Sequence, residues 1–362
     1  MDVFEIDLNS SDNIYQFSPK LDQVTRVELK SKLSELGLNS HVFILSSGTT
    51  STGGIKGYAL SKEALRKSAK AVNQHLNLNA RDSWYLSLPP WHIGGLSVYI
   101  RAQIAGAKVY TSSDKWDVRR WVKKLENVSV TSIVPLQAFD IVANKIEAPK
   151  GLRYLIIGGD YLAGHLHQKL LKLGWPVVRT FGMTEVCSQL ATEREPSNSP
   201  RLEVLANHKV KVDEHGVLFV KSESMFTGMF SLNKDFTYKE AVLQEGLFKT
   251  NDLVELKNNQ LYPKSRADQA FKCKGRLFYL NDIREVLDNF ALDNGMYSKL
   301  AVKLAPSERE GQVLSILADS KLMNKEEFLN VELRNLLAPA VIKEIEFVSS
   351  IQRTELGKVK KH

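Results

Sequence analysis

A regular alternation of short apolar segments and amphipathic segments between residues 84 and 180 is the feature that most constrains the fold of this chain. Strands that alternate with helices favour a parallel sheet covered by helices on both faces, because parallel neighbours need a crossover connection. The sequence therefore predicts an α/β fold. The predicted strands cover residues 84–88, 108–111, 128–134, 153–157 and 176–180, and the predicted helices cover residues 93–105, 117–125, 136–146 and 162–173.

The pattern changes after about residue 202, where short alternating segments are separated by turns and indicate antiparallel β structure. A small α+β unit is predicted from about residue 266, with helices near 281–290 and 325–337. Its strands are predicted near 299–304, 313–318 and 342–348. We therefore expect a large N-terminal domain over residues 1–265 and a small C-terminal domain over residues 266–362.

Composition limits the kinds of partner that we expect. The net charge is +8, but basic and acidic residues are interleaved, which favours a solvated surface or anionic small ligands over a nucleic-acid partner. No run approaches the roughly 20 apolar residues of a membrane span. Residues 1–5 are acidic rather than signal-like, and Cys187 and Cys273 are far apart. We therefore expect a cytoplasmic protein with reduced cysteines, no membrane span and no nucleic-acid partner.

A loop of glycine and hydroxyl residues follows the apolar run 41–45 and precedes Ser61, the predicted N-cap of a helix over about 60–78. Glycines allow backbone N–H groups to approach an anion, and hydroxyls and a lysine add donors and charge. This chemistry is suited to phosphate, although such loops are also common surface turns. It is not a Walker A loop, because no Gly-Lys-Ser/Thr follows the glycines. The candidate phosphate-binding residues are Ser46, Ser47, Gly48, Thr49, Thr50 and Lys56.

Four further segments carry candidate site residues. His92 lies in a Pro-Pro-Trp-His-Ile-Gly-Gly loop and is either a pocket residue or a structural histidine. Gly158 and Gly159 end a strand, where they either admit a flat ring or form a tight turn. The segment from Phe181 through Gly182 to Thr184 and Glu185 offers a hydroxyl and a carboxylate for phosphate and a divalent cation. Asp252 either binds a ribose diol or is a turn aspartate.

Taken in order, these motifs resemble those of the adenylate-forming superfamily, which comprises acyl- and aryl-CoA synthetases, firefly luciferase and adenylation domains. The resemblance covers roughly residues 41–362, and five ordered motifs are far more specific than any one of them. The motifs are the glycine loop, the aromatic-Gly-Met-Thr-Glu segment 181–185, the segment 247–252, the Arg-x-Asp segment 265–268, and the Arg-Thr-x-x-Gly-Lys segment 353–358.

The resemblance implies a two-step reaction with ATP, Mg²⁺ and coenzyme A. It implies that Lys358, with Thr184 and Glu185, acts in adenylate formation, and that Glu185 holds the metal ion. It implies no covalent enzyme nucleophile, so Cys187 has no catalytic role. The remaining implied roles are ribose binding by Asp252 and Arg266, adenine and nucleotide contacts by Gly158, Gly159, Phe181 and Gly182, a domain hinge at Asp268, and a CoA contact at Gly275.

Within the superfamily, segment 182–189 and Trp91-His92 with Arg101 look most like the o-succinylbenzoate–CoA ligases of menaquinone synthesis. This resemblance implies that His92 and Arg101 bind the acid, with the guanidinium forming two parallel hydrogen bonds to the unreacted carboxylate. The alternative is that Arg101 is a surface residue. Two other functions stay open, namely another aryl- or acyl-acid CoA ligase and a non-catalytic nucleotide-binding descendant.

Several positions depart from the superfamily pattern. The glycine loop is two residues longer than usual, Ile55 replaces proline, and Asn251 stands where glycine is usual. The segment 274–277 replaces Gly-Gly-Glu-Asn, which weakens the expectation of a CoA contact, and Gln352 replaces proline. Relatives also carry many more residues before the glycine loop. We therefore expect a shortened large domain whose exposed surface a partner subunit covers, in a possible homodimer.

Overall fold

A computed structural model describes residues 6–46, 54–198 and 201–360. The predictions for Ser47, Gly48, Thr49 and Thr50 fall outside these residues. In the described part, the chain forms three sheets flanked by helices, which confirms the predicted α/β fold. No helix of that part has the length and apolar character needed to span a membrane.

Strands and helices are numbered in chain order. The strands are β1 (Ile14–Gln16), β2 (His41–Leu45), β3 (Ile55–Ser61), β4 (Ser83–Tyr85), β5 (Lys108–Tyr110), β6 (Val130–Ile133), β7 (Tyr154–Ile157), β8 (Val177–Met183), β9 (Ser188–Thr192), β10 (Leu202–Val204), β11 (His208–Val212), β12 (Val217–Ser222), β13 (Gly228–Leu232), β14 (Phe236–Glu240), β15 (Phe248–Lys257), β16 (Gln260–Arg266), β17 (Ala270–Cys273), β18 (Arg276–Tyr279), β19 (Leu300–Ser307), β20 (Gly311–Asp319) and β21 (Ile342–Val348). The α-helices are α1 (Gln23–Ser34), α2 (Lys62–His75), α3 (Ile93–Ala105), α4 (Val118–Lys123), α5 (Pro135–Ala143), α6 (Gly164–Lys172), α7 (Leu280–Asp293) and α8 (Glu326–Leu336).

The largest sheet joins a parallel half to an antiparallel half. Its order is β11-β12-β15-β16-β10-β9-β8-β7-β6-β4-β5 among the described strands. Strands β4 to β8 pair in parallel, as the strand–helix alternation predicts. Strand β8 then pairs antiparallel with β9, and the antiparallel half follows. The switch in strand direction at β8 brings residues from both halves of the sheet close together.

The segment after the glycine loop was predicted wrongly. Residues 55–57 were assigned to the loop and residue 60 to a helix, but Ile55–Ser61 forms β3. Strands β2 and β3 pair antiparallel in a separate sheet of order β1-β2-β3-β13-β14, so β2 is not part of the parallel sheet. The strand forms because β3 also pairs with β13, far along the chain. Ser61 is the N-cap of α2, as expected, and its hydroxyl accepts a hydrogen bond of 3.1 Å from the Ala64 N–H.

Two site segments expected in loops or turns are strand residues instead. Strand β8 runs to Met183, so Phe181 and Gly182 lie on the strand rather than after it. Asp252 lies within β15 and faces Arg266 of β16, so the alternative of a turn aspartate is wrong. In both places, antiparallel pairing continues the backbone hydrogen bonds beyond the predicted strand end.

The third sheet has the order β18-β17-β20-β19, with β21 parallel to β20. It packs against α7 and α8 around a core that includes Phe271, Leu287, Leu314 and Leu329. The predicted helices near 281–290 and 325–337 are thereby confirmed. We call residues 270–360 the C-terminal unit.

Helix α7 and the segment after it form one set of contacts between the C-terminal unit and the rest of the chain. The carboxylate of Glu285 accepts hydrogen bonds from the Tyr161 hydroxyl and from the Gly164 N–H, the latter at 3.2 Å. Beyond the helix, the ring of Tyr297 stacks on Phe139, with ring centroids 3.5 Å apart and planes inclined by 14°. These contacts fix the position of α7 on α5 and α6.

Lys62, the first residue of α2, attaches the N-terminal segment to the fold. Its side chain is fully buried, and its Nζ donates hydrogen bonds to the Asp7 carbonyl at 2.7 Å and to the Ser10 carbonyl at 2.9 Å. A third bond of 3.1 Å goes to the Ser10 hydroxyl. The three oxygens replace the water that a buried ammonium loses.

Candidate active site

Asp252 and Arg266 face each other across β15 and β16, and the charge of Lys358 acts on Asp252. An Nη1 nitrogen of Arg266 lies 3.8 Å from Asp252 Oδ1, and its Nε donates to Asp268 Oδ1 at 3.2 Å. Burial raises the pKa of Asp252, while Arg266 and Lys358 oppose the shift and Glu185 adds to it. The charges of four predicted site residues therefore act on one another at this point.

Glu185 lies on the short turn Thr184–Val186 that follows β8. Its Oε1 accepts a hydrogen bond of 3.0 Å from the Tyr58 hydroxyl of β3. Thr184 begins the turn, and its carbonyl accepts a 3.0 Å hydrogen bond from the Cys187 N–H. The charge of Glu185 raises the pKa of Asp252, so this turn lies near the pair of Asp252 and Arg266.

The glycines of the site allow close backbone approach. A Cβ on Gly158 would lie 2.6 Å from Thr180 Cγ2, and a Cβ on Gly182 would lie 1.9 Å from the Ser188 carbonyl oxygen. Gly159 adopts a φ of +86°, which favours glycine. Phe181, which precedes Gly182, is half-buried and packs on the core of the antiparallel half. The backbone therefore comes close to its neighbours at Gly158 and Gly182.

Ser46 and Lys56 mark the two ends of the glycine loop. The Ser46 N–H donates to the Lys56 carbonyl at 2.8 Å, so the ends of the loop are held together. Lys56 lies on β3 opposite Ser231 and is exposed.

Arg101 is buried and has no carboxylate partner among the described residues. Its side chain is 2% exposed, and burial lowers its pKa to about 9. Nη2 donates to the Ser188 hydroxyl at 2.9 Å, while Nε has no hydrogen-bond partner within the described ranges. The Ser188 hydroxyl continues the chain of hydrogen bonds to Ser97 at 3.1 Å. The alternative that Arg101 is a surface residue is therefore wrong.

Ser188, which accepts the hydrogen bond from Arg101, and the preceding residue Cys187 both have positive φ. Cys187 has a φ of 57° and Ser188 a φ of 123°, a region that disfavours residues with a side chain. Backbone strain of this kind persists only where its surroundings enforce it, and it is concentrated at functional sites. Cys187 itself is fully buried, and burial raises the pKa of its thiol, so it is unsuited to act as a nucleophile.

His92 contacts the C-terminal unit. Its Nε2 lies 3.3 Å from Oε2 of Glu355, and the same oxygen accepts a hydrogen bond of 2.7 Å from Trp91 Nε1. Burial lowers the pKa of His92, and the Glu355 carboxylate and the Leu45 backbone oppose the shift. His92 caps the start of α3, the helix that carries Arg101.

Gly275 lies apart from this group. It has a φ of +76° in the exposed turn between β17 and β18, where an added Cβ would meet no atom within 4 Å. Its hairpin joins Glu310 and Gly311 of the C-terminal unit. Asp268 lies on the Ala267–Gln269 turn that leads from β16 into that unit.

Three residues at the site were not predicted from the sequence. Glu355 occupies a variable position of the 353–358 motif, so the motif predicts no role for it. Tyr58 lies between the predicted loop, which ends at Gly57, and the predicted helix. Ser188 belongs to the 182–189 segment, in which the polar Ser-Gln pair after Cys187 is the available signal.

The metal-binding capacity of the site is small. The described residues contain no group of three or more His, Cys, Asp and Glu side chains able to hold a metal ion. Mg²⁺, however, is commonly bound by one or two carboxylates together with substrate phosphates. Glu185, whose Oε1 accepts a hydrogen bond from Tyr58, supplies one such carboxylate.

Comparison with known proteins finds similar chains among 2-succinylbenzoate–CoA ligases. The 2-succinylbenzoate–CoA ligase of Listeria monocytogenes is 26% identical over 326 residues, and that of Bacillus licheniformis is 27% identical over 337 residues. Each alignment covers 88% of this chain, and the chain spans 68% of the length of each relative. The o-succinylbenzoate coenzyme A synthetase of Bacillus subtilis, solved in complex with ATP and magnesium ion, matches with a TM-score of 0.70 and 22% identity. That alignment covers 88% of this chain and 68% of the other, and it establishes the fold.

A family model described as AMP-binding enzyme matches residues 15–230, well over half of the chain. This range includes the glycine loop, the loop of His92, the helix of Arg101, and the turn of Glu185. The chain therefore belongs to the family of AMP-binding enzymes.

Proposed function

We propose that this chain is an ATP-dependent, AMP-forming ligase that joins 2-succinylbenzoate to coenzyme A. The observation that carries the proposal is the buried Arg101, whose guanidinium has no carboxylate partner in the described part of the chain. Burying a charge without a counter-charge destabilises the folded protein. A ligand that supplies the missing carboxylate should therefore bind more tightly. The names of the two bacterial relatives support this substrate.

The acid has two carboxylates, and the proposal gives each a different role. The aromatic carboxylate binds Arg101 through two parallel hydrogen bonds, next to the Ser188 hydroxyl. The succinyl carboxylate then points toward the nucleotide and is the one that reacts. Because only a second carboxylate can neutralise Arg101, acids with one carboxylate are rejected.

In the first step, an oxygen of the succinyl carboxylate attacks the α-phosphorus of ATP. The bond from that phosphorus to the bridging oxygen breaks, pyrophosphate leaves, and an acyl-adenylate remains. Lys358 stabilises the negative charge that develops on the α-phosphate oxygens. Its proximity to Asp252 supports this role, since its charge acts on the pKa of that carboxyl.

The other predicted residues hold the nucleotide. Asp252 and Arg266 bind the ribose, and Thr184 donates its hydroxyl to a phosphate. Gly158, Gly159, Phe181 and Gly182 frame the adenine, and Ser46, Ser47, Gly48, Thr49, Thr50 and Lys56 bind the phosphates. Glu185 would hold Mg²⁺ together with the phosphates, where the cation neutralises phosphate charge.

In the second step, the thiol of coenzyme A loses its proton and its sulfur attacks the acyl carbon. The acyl–oxygen bond breaks, and AMP leaves. We propose that residues 266–362 form a small domain that rotates about Asp268 between the steps and carries the Gly275 hairpin to the site. The exposed glycine turn at 275 supports a contact with a large substrate, although its sequence departs from the superfamily.

The remaining proposals concern setting and assembly. We propose a cytoplasmic enzyme that forms a homodimer through the large domain, residues 1–265. Light scattering after size exclusion tests the dimer, and a monomeric mass at micromolar concentration would exclude it.

Thioester formation from 2-succinylbenzoate, ATP, Mg²⁺ and coenzyme A tests the function. We expect AMP release and a product of the thioester mass with this acid, and none with benzoate or a fatty acid. Arg101→Leu should abolish the reaction, while Arg119→Leu, which removes an exposed guanidinium, should preserve it. Activity with single carboxylates that survives Arg101→Leu would indicate another acid–CoA ligase. Absence of pyrophosphate exchange with every acid tried would indicate a non-catalytic protein.

A further inference from the structure

Glu355 is held by donors from two distant segments of the chain. Its Oε1 lies 2.6 Å from Lys20 Nζ, and its Oε2 accepts from Trp91 Nε1 at 2.7 Å and lies 3.3 Å from His92 Nε2. Glu355 belongs to the C-terminal unit, whereas the three partners precede α1 and α3. The carboxylate therefore connects the unit that carries Lys358 to the loop that begins the helix of Arg101.

The donors differ in how much they restrain the carboxylate. The Lys20 side chain is 77% exposed, and such an ion pair contributes little. Trp91 is half-buried and His92 is buried, so their positions are fixed by packing. Hydrogen bonds from fixed donors to a charged acceptor are stronger and more directional. Trp91 and His92 thus determine where Glu355 lies.

Lys358 is coupled to Glu355 through a compact turn. The Thr354 N–H donates to the Lys358 carbonyl at 2.7 Å, and the Gly357 N–H donates to the Thr354 carbonyl at 2.9 Å. Arg353 Nη1 donates to the Gly357 carbonyl at 3.0 Å. A turn closed by three hydrogen bonds moves as one piece, so the position of Glu355 sets that of Lys358.

His92 extends the connection toward the phosphate loop. Its ring interacts with the backbone of Leu45, the last residue of β2 and the residue before Ser46. One buried imidazole thus contacts the turn of Lys358 on one side and the entrance of the glycine loop on the other. The two elements that would act on the phosphates are positioned against each other.

From this arrangement we infer that Glu355 is a positioning residue for adenylate formation. It would hold Lys358 at the α-phosphate in the first step and would contribute nothing to thioester formation, for which the C-terminal unit turns away. The inference rests on the proposed function, because it presumes the two steps. It adds a residue whose role is confined to one of them.

The test separates the two steps in the full chain. Pyrophosphate exchange with 2-succinylbenzoate measures the first step, and thioester formation from supplied acyl-adenylate and coenzyme A measures the second. We expect Glu355→Gln to slow exchange by about 10- to 100-fold, since misplacement by about 1 Å can cost that much, and to leave the second step within about twofold. Equal losses in both steps, or a loss in neither, would overturn the inference.

A matched control is Glu346→Gln. Glu346 also accepts from a lysine, Lys303, at 2.6 Å, but within the C-terminal unit. This variant should leave both steps within about twofold. If Glu346→Gln slowed pyrophosphate exchange as much as Glu355→Gln, breaking any ion pair in the C-terminal unit would be enough to slow the first step.

Backbone hydrogen exchange keeps the inference testable without catalysis. In Glu355→Gln, the amides of Thr354, Gly357 and Lys358 should exchange faster than in the unmodified chain, whereas in Glu346→Gln they should not. If the unmodified protein is inactive with 2-succinylbenzoate, the proposed substrate is wrong, but the positioning role of Glu355 is still open to this measurement. Unchanged protection of the turn in Glu355→Gln would refute the positioning role in any case.

Discussion

The hydroxyl of Tyr58 on β3 donates a hydrogen bond of 3.0 Å to Oε1 of Glu185, the proposed metal-binding carboxylate. Burial raises the pKa of this phenol, and the Glu185 charge raises it further, so Tyr58 remains a donor at every working pH. The bond orients the carboxylate through one of its two oxygens. Residues that orient a metal ligand in this way commonly matter nearly as much as the ligand.

Tyr58→Phe should therefore lower the rate of pyrophosphate exchange by about 10- to 100-fold and raise the Mg²⁺ concentration needed for half-maximal rate. Steady-state exchange at several Mg²⁺ concentrations measures both effects. Tyr238→Phe is the control, because the Tyr238 hydroxyl on β14 of the same sheet has no hydrogen-bond partner among the described residues. Equal Mg²⁺ requirements for the two variants would contradict the role of Tyr58.

Arg101→Leu should make the folded protein more stable while abolishing the proposed activity. The buried guanidinium lacks a carboxylate, so its removal relieves a desolvation cost, and we expect the free energy of unfolding to rise by about 1–2 kcal/mol. Arg153→Leu makes the same change where the arginine pairs with the buried Asp82. The free energy of unfolding of that variant should fall by about 1–3 kcal/mol, because the buried Asp82 carboxylate loses the positive charge that pairs with it. Urea denaturation measures both, and a shift of the same sign in the two variants would contradict this account.

Lys62→Met should destabilise the protein by about 2–4 kcal/mol, because the carbonyls of Asp7 and Ser10 lose their buried donor. Lys67→Met is the matched control on the same helix, where an exposed lysine pairs with Glu223 at 3.2 Å. We expect it to cost less than about 0.5 kcal/mol. Denaturant midpoints compare the two, and similar losses would mean that the contacts of Lys62 contribute nothing specific.

Asp288 of α7 should make stability depend on pH. Burial raises the pKa of its carboxyl from 3.8 to about 6, although Arg353 and Arg284 oppose the shift. Between about pH 4 and pH 6 the folded state therefore keeps a proton that the unfolded state has released, and stability falls as pH rises through this window. Melting temperatures should be measured from pH 4 to pH 8. As pH rises, the melting temperature of Asp288→Asn should increase relative to that of the unmodified protein. Parallel curves would contradict the raised pKa.

Local pattern was sufficient to predict the parallel half of the large sheet and its crossover helices. Strands β4 to β8 and helices α3 to α6 each carry their own apolar periodicity, so short windows of sequence identify them. The C-terminal helices could be predicted for the same reason. The clustering of Asp252 with Arg266, by contrast, depends on an antiparallel register that only the folded sheet defines.

Long-range pairing accounts for what the sequence could not reveal. Strand β3 contains a lysine and a glycine and is stabilised by β13, where Lys56 pairs with Ser231. The partners of Glu355 lie more than 250 positions away along the chain. The burial of Arg101 likewise arises from packing, because an arginine within a helix normally reaches solvent.

In the polar contacts that α7 and the C-terminal turn make with the rest of the chain, the negative charge usually belongs to the C-terminal unit. Carboxylates of the C-terminal unit, such as Glu355 and Asp293, face cationic or neutral donors of the preceding part, and Asp293 lies 2.9 Å from Lys169 Nζ. The pair of Arg284 with Asp160, at 3.9 Å, is an exception, because there the positive charge belongs to the C-terminal unit. Ions at 0.1 M screen exposed charges over about 10 Å, so added salt weakens this attachment more than it weakens the apolar cores. The ionic strength of the surroundings therefore acts on how firmly the C-terminal unit is attached to the rest of the chain.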